Sequence, residues 1–258
     1  QGKMPLDDKL AQFRPDFPAE IADKVTIEHL LNMRSGMGSY WNDEWQAKWP
    51  TIKTVDALID IIKKIPLDFE PGTRRQYSNS GYVVLGAIIE KVSGQSYYDY
   101  VRAHIFEPAG MHDTDSYELD QIVPNLARGY TRNRSKTPYN GNTLQNNLFL
   151  HSIKGAPAGG GYSTLEDLNR FVEALSKNKL AGQKYTNMVL GGFRSGDQPV
   201  RRSEGLGIAG GAPVGINAIV EADFATGYTV IVLSNYDPPA AETWGIKIMR
   251  LLRNQKSS

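Results

Sequence analysis

Apolar positions recur at helical spacing through most of the chain and alternate near its end. Val55, Leu58, Ile59 and Ile62 share one helical face behind Thr54, whose hydroxyl suits the free N–H groups of a first turn. A shorter run, Ile27 to Met33, follows Thr26 and ends at Ser35-Gly36. Tyr82, Val83, Leu85, Ile88, Ile89 and Val92 make a broader stripe that starts near Ser80 and stops at Gly94. A helix over Tyr97 to Ile105 is expected to end before Pro108. Ser163-Thr164-Leu165-Glu166 has capping-box spacing, and Leu165, Leu168, Phe171, Val172 and Leu175 follow on one face. Late in the chain the period changes. Ile216, Ala218 and Val220 alternate with other residues, Ala225-Thr226-Gly227 makes a turn, and Tyr228 to Leu233 is β-branched, which predicts an antiparallel hairpin. A last helix is expected over Ala240 to Leu252, and the proline-bearing residues 1–25 read as extended and turn-rich.

Helices first and sheet last point to the α/β (α+β) class: an antiparallel sheet flanked by helices, beside an all-helical subdomain. The expected division is 1–155, mainly helical, and 156–258, the α/β part with the C-terminal strands and final helix, in one integrated fold. Residues 113–160 are rich in Asn, Gly, Arg and Tyr and too long for a structureless loop, so short elements or a segment covering a site are expected there.

Composition narrows the function. With 29 basic and 28 acidic residues among 258, the net charge is +1, which gives no footprint for a nucleic-acid partner. No cysteine is present, which excludes disulfides, thiolate metal sites and a cysteine nucleophile. His29, His104, His112 and His151 show no paired metal spacing, so neither a metal nor another cofactor is expected; only His151 lies in the expected covering segment. No apolar run approaches the ~18 residues of a membrane span. The start, Gln1-Gly2-Lys3, has neither an initiator methionine nor a signal-peptide pattern, and reads as a processed or incomplete beginning.

The candidate chemistry centres on Gln76-Tyr77-Ser78-Asn79-Ser80-Gly81-Tyr82, between the turn Phe69-Glu70-Pro71-Gly72 and the stripe that begins at Tyr82. Beside a cation, the Tyr77 phenol can act as a general base, and the Asn79 amide can both donate to and accept from a substrate amide or ester. On a plainer reading, Ser78 or Asn79 caps the next helix and Tyr77 packs. Three other signals carry less. Gly205-x-Gly207-x-x-Gly210 matches a dinucleotide fingerprint, but Pro213 blocks the helix that must open from it. Ser176-Lys177-Asn178-Lys179 reads as a polar helix end. Trp41, Trp45 and Trp49 make one helical stripe, either as packing or as a rim for an apolar acyl or aryl substrate.

Taken in order, several stretches resemble the serine β-lactamase and penicillin-binding-protein superfamily, in its class C-like branch of related hydrolases and esterases. They are Thr26-Ile27-Glu28-His29-Leu30-Leu31 with Ser35-Gly36, Phe69-Glu70-Pro71-Gly72, and Tyr77-Ser78-Asn79-Ser80-Gly81-Tyr82 with Leu85-Gly86 and Glu90. Then come Ser93-Gly94-Gln95-Ser96-Tyr97, Ile105-Phe106-Glu107-Pro108, Gly110-Met111-His112-Asp113-Thr114, Gly159-Gly160-Gly161-Tyr162-Ser163-Thr164 with Asp167-Leu168, and Val232-Leu233-Ser234-Asn235. The resemblance implies a β-lactamase/transpeptidase-like fold, acyl transfer to a serine, a small-molecule or peptide-like substrate, and a periplasmic or secreted location. It makes Tyr77 and Asn79 catalytic residues of the Tyr-x-Asn motif. It also implies that the Ser-x-x-Lys segment precedes Gln1, so that the fold is N-terminally incomplete here, because Gly2-Lys3-Met4-Pro5-Leu6-Asp7-Asp8 resembles the stretch after the nucleophile helix. The third motif, usually Lys-Thr-Gly or His-x-Gly, falls on Ile208-Ala209-Gly210. Ile208 brings no cation, which favours ester or peptide-like substrates over penicillins, while backbone N–H near Gly210 and Gly211 can serve an oxyanion. The alternative is a non-catalytic member that binds a ligand or partner.

Overall fold

The computed structural model describes residues 4–132, 143–194, 203–212 and 214–255. The helical part opens with α1 (Ala19–Ala22) and α2 (Ile27–Leu31), followed by α3 (Asp43–Lys48), α4 (Val55–Ile62) and α5 (Asn79–Ser93). The N-caps agree with the residue types: Thr26, Thr54 and Ser78 each accept a backbone N–H with the side chain. Gly94 ends α5 in the left-handed region at φ 73°, a conformation that glycine adopts without strain. Leu30, Ile59, Ile61, Val83, Val84 and Ile88 are buried together in one core that Leu10 and Val25 complete. Residues 1–25 were expected to be extended. Leu10–Gln12 forms a 3-10 turn and Ala19–Ala22 a short helix, started by Pro18 at the N-cap, where its missing N–H costs nothing.

A second departure from expectation lies at Pro108. Helix α6 (Tyr97–Val101) runs through a π-turn over Arg102–Phe106 into α7 (Glu107–Ala109), and the chain stops only at Gly110, φ 75°. The wider turn shifts the hydrogen-bond register, so the missing N–H and ring of Pro108 do not break the helix.

The sheet is the predicted hairpin with one more strand. β3 (Gly205–Ala212), β4 (Ile216–Asp223) and β5 (Tyr228–Ser234) pair antiparallel in the order β3-β4-β5. Cross-strand partners share a face. Ile208, Val220 and Ile231 therefore look toward α8 (Leu165–Ser176), whose Val172 packs on Val220 and Ala222. Ala209 and Ile219 look toward α10 (Ala240–Gln255), where a Cβ on Gly245 would overlap the Ile219 side chain. The sheet thus lies between two helices. Within the expected covering segment, β1 (Tyr130–Thr131) pairs antiparallel with β2 (Gln145–Asn146). Residues 133–142 lie outside the described residues, as does Pro213. Helix α9 (Gln183–Gly191) is joined to the helical part by Asn32 Nδ2, which donates to the Phe193 carbonyl at 2.7 Å. Among the described residues no helix is long and apolar enough to cross a membrane.

Candidate active site

The Tyr77 loop is held against the segment just past α2 by backbone and side-chain hydrogen bonds. Met33, just past α2, adopts φ 58°, a left-handed conformation uncommon for a side chain of its size. Its carbonyl accepts from Gln76 N–H at 2.8 Å, and its thioether receives Ser78 N–H at 3.3 Å. Gln76 Nε2 donates to Asp68 at 3.0 Å, and Asp68 N–H donates to Gly36 O at 2.8 Å. Gly36 sits at φ 76°, where a Cβ would lie 2.2 Å from the Phe69 carbonyl, so only glycine permits this approach. Ser80, fully buried, donates its hydroxyl to Gly38 O at 2.5 Å. The segments 33–38 and 76–80 are thus one unit.

On that unit each motif residue has a separate place. Ser78 is buried and its Oγ accepts Gly81 N–H at 3.1 Å, so the plain capping reading holds for this residue. Asn79 is half-buried in the first turn of α5. Tyr77 does not pack: it is 71% exposed, with its phenol carried outward by a fixed backbone. Tyr40 and Tyr82 both lie close enough to sense it. Burial raises the pKa of each, and proximity to the Tyr77 phenol adds to the rise.

Helix α2, which positions Met33, depends on His29, to which the sequence assigns no metal role. His29 N–H donates to Thr26 Oγ1 at 3.2 Å, and Thr26 N–H donates to His29 Nδ1 at 3.3 Å, a reciprocal cap with His in the place of the usual Glu or Gln. Nδ1 accepts only when the ring is neutral. Burial keeps the pKa of His29 below its ordinary value. The unfolded chain therefore takes up the proton first, and stability is lost as pH falls below about 6.5. A thermal-unfolding series across that pH range should show a steeper loss of Tm in the wild type than in His29→Gln, which caps without titrating. Parallel curves would contradict the capping role.

The third-motif residues lie on β3, an edge strand of the sheet among the described residues. Ile208 is 46% exposed, and Ala209, Gly210 and Gly211 are exposed. Asn217, on β4 and fully buried, organises this end of the strand. Its Oδ1 accepts from Ala241 N–H at 2.7 Å and Glu242 N–H at 3.3 Å, capping α10 from across the sheet. Its Nδ2 donates to Glu242 Oε1 at 3.0 Å and to Gly210 O at 3.4 Å. The Gly210 carbonyl is therefore turned toward β4. The peptide unit is planar and trans, so the Gly211 N–H points the other way, to the free side of the strand.

The turn after β3 is braced by residues that no motif marks. Gly215 N–H donates to Asp237 Oδ1 at 2.8 Å, and buried Asn147 Nδ2 donates to Val214 O at 3.0 Å. His151 Nε2 lies 2.6 Å from Asn147 Nδ2 and 3.1 Å from Val214 O, and burial lowers its pKa. These contacts give His151 a place in turn support. Gly205 to Gly210 is strand throughout, with no helix opening from it, so the dinucleotide fingerprint is not met. Ser176 ends α8, where its Oγ donates to Glu173 O at 3.0 Å. The capping-box start of α8 lies one residue later than the sequence suggests: Thr164 Oγ1 accepts Asp167 N–H at 3.2 Å, while Ser163 bonds to Thr114 at 2.8 Å. Among the described residues no three His, Asp or Glu side chains come together as metal ligands would. Among them, too, no hydrogen bond joins residues 77–79 to 208–211; the two groups are held by different layers of the fold.

The Beta-lactamase family model matches residues 1–249. A penicillin-binding protein of Bacillus subtilis (strain 168) is 34% identical over 185 residues, 68% of this chain and 40% of that protein. The crystal structure of a penicillin-binding protein from Bacillus halodurans superposes with a TM-score of 0.77 at 26% identity, covering 93% of this chain and 75% of the other. A D-amino acid amidase from Ochrobactrum anthropi SV3, crystallised with L-phenylalanine amide, gives a TM-score of 0.70 at 26% identity, over 91% of this chain and 70% of that one. The match thus spans less than half the length of the Bacillus subtilis relative, and the amidase shows a hydrolase on this fold. With the family model spanning nearly the whole chain, and the sheet and helices of that fold in place, the chain belongs to the β-lactamase family.

Proposed function

We propose that the chain supplies the Tyr-x-Asn and oxyanion parts of a serine hydrolase site. Its substrate would be a small ester, amide or peptide-like molecule, and the nucleophile would come from a Ser-x-x-Lys segment preceding Gln1. The observation that carries this reading is Tyr77: a phenol left exposed on a backbone that buried Ser78, buried Ser80 and left-handed Met33 hold rigid.

The chemistry divides as follows. The serine Oγ attacks the substrate carbonyl while its proton passes to the Tyr77–lysine pair, and Asn79 orients the substrate amide or ester. Charge on the carbonyl oxygen is met by the outward Gly211 N–H. The leaving amine or alcohol takes the proton, and water then hydrolyses the acyl-enzyme. Ile208 gives no cation for a substrate carboxylate, which favours substrates without one.

Ile208 also favours a second reading, a non-catalytic member of the fold that binds a ligand or partner. The Ser-x-x-Lys at Ser176 does not serve the first reading, since its hydroxyl is spent on the α8 end. Trapping of an acyl- or phosphonyl-enzyme in the full-length protein separates the two.

A further inference from the structure

We infer that Trp41 is the specificity wall of this site and receives an aromatic or large apolar side chain on the acyl part of the substrate. The inference rests on the reading of Tyr77 as part of the active site.

Trp41 is 58% exposed, a large apolar surface left to solvent right beside the unit that carries Tyr77. It is not free to swing. Its backbone N–H donates to Ser39 Oγ at 3.2 Å, and three residues earlier the Gly38 carbonyl is held by Ser80 of the motif helix. Its ring is braced from two sides. Buried Tyr40 meets it edge-on with centroids 6.0 Å apart, and Trp45 lies 6.2 Å away. Trp45 in turn stacks on Trp49 at 6.3 Å and packs against the helical core. The row therefore ends in one presented ring, with the others behind it as a backing.

The ring is placed on the site side by its backbone: Tyr40 and Trp41 follow Gly38, whose carbonyl accepts from Ser80, three residues past Tyr77, and Tyr40 meets Trp41 edge-on. An acyl group whose carbonyl lies within reach of Tyr77 would thus find an apolar face carried on the same unit of the fold. A buttressed aromatic loses little entropy when it binds, and aromatic pairs gain by offset or edge-on contact. A methyl group offers that ring far less apolar surface than a phenyl group does. Selectivity for aryl over methyl acyl groups follows.

The test uses the full-length protein and two p-nitrophenyl esters, the acetate and the 3-phenylpropionate. In Trp41→Ala the ratio of kcat/KM for the phenylpropionyl over the acetyl ester should fall by about ten- to one-hundred-fold, in the range a hydrophobic contact provides. Turnover of the acetate should stay within about two-fold, and Trp41→Phe should restore much of the ratio. An unchanged ratio, or equal loss on both esters, would overturn the inference. A second measurement needs no turnover. Titrating N-acetyl-phenylalanine amide into the full-length protein should shift the Trp41 indole N–H resonance, and N-acetyl-alanine amide should not. Absence of that shift also overturns it. Wild-type protein inert to both esters, yet showing the shift, would instead contradict the hydrolase reading alone.

Discussion

Tyr77→Phe in the full-length protein is expected to slow acylation by about two to four orders of magnitude, the scale of a lost general base. The fold should not change, because Tyr77 is 71% exposed and its loop is fixed by Met33, Ser78 and Ser80. Surface substitutions of this kind shift stability by about 0.5 kcal/mol or less. Pre-steady-state release of p-nitrophenol against thermal unfolding separates the two quantities. Near-wild-type acylation would remove Tyr77 from proton transfer, and a large loss of Tm would assign it a packing role.

Asn217→Ala is expected to cost about 2–4 kcal/mol of folding stability, since it strips a buried cap and leaves buried polar groups without a partner. Two N–H groups at the start of α10, the Glu242 carboxylate and the Gly210 carbonyl all lose the same amide. Asn217→Asp keeps the acceptor for α10 but loses the donor, and sets a second carboxylate beside Glu242. It should therefore recover the α10 cap without recovering the Gly210 contact. Urea unfolding reads the energy, and the amide-proton shift of Gly211 reads the strand. A Gly211 shift unchanged in both variants would show that Asn217 does not set that peptide plane.

Local signals were legible in the sequence wherever one residue decides its own neighbourhood. Thr54, Ser78 and Gly94 begin or end helices by their own hydrogen bonds or dihedral freedom. The alternation through Ile216, Ala218 and Val220, with the turn at residues 225–227, specifies the hairpin for the same reason. What escaped was set by partners distant along the chain. Nothing local marks Asn217 as the cap of a helix that starts at Ala240, because the strand must first bring them together. His29 resembles a surface histidine until its ring is seen to accept the Thr26 N–H. Pro108 forbids a regular α-turn, and only the π-turn before it reconciles proline with a continuing helix. At the candidate site the tripeptide was visible, yet its division of labour was not. Which of Tyr77, Ser78 and Asn79 caps and which is presented depends on the Met33 and Gly38 contacts.

Intact mass and peptide mapping of the full-length protein after treatment with a fluorophosphonate test the hydrolase reading most directly. In that reaction a serine Oγ displaces fluoride from phosphorus, which marks an activated nucleophile. A single adduct on the serine of a Ser-x-x-Lys segment ahead of Gln1, formed far more slowly in Tyr77→Phe, is the predicted result. No adduct, or an adduct on Ser176, would contradict it.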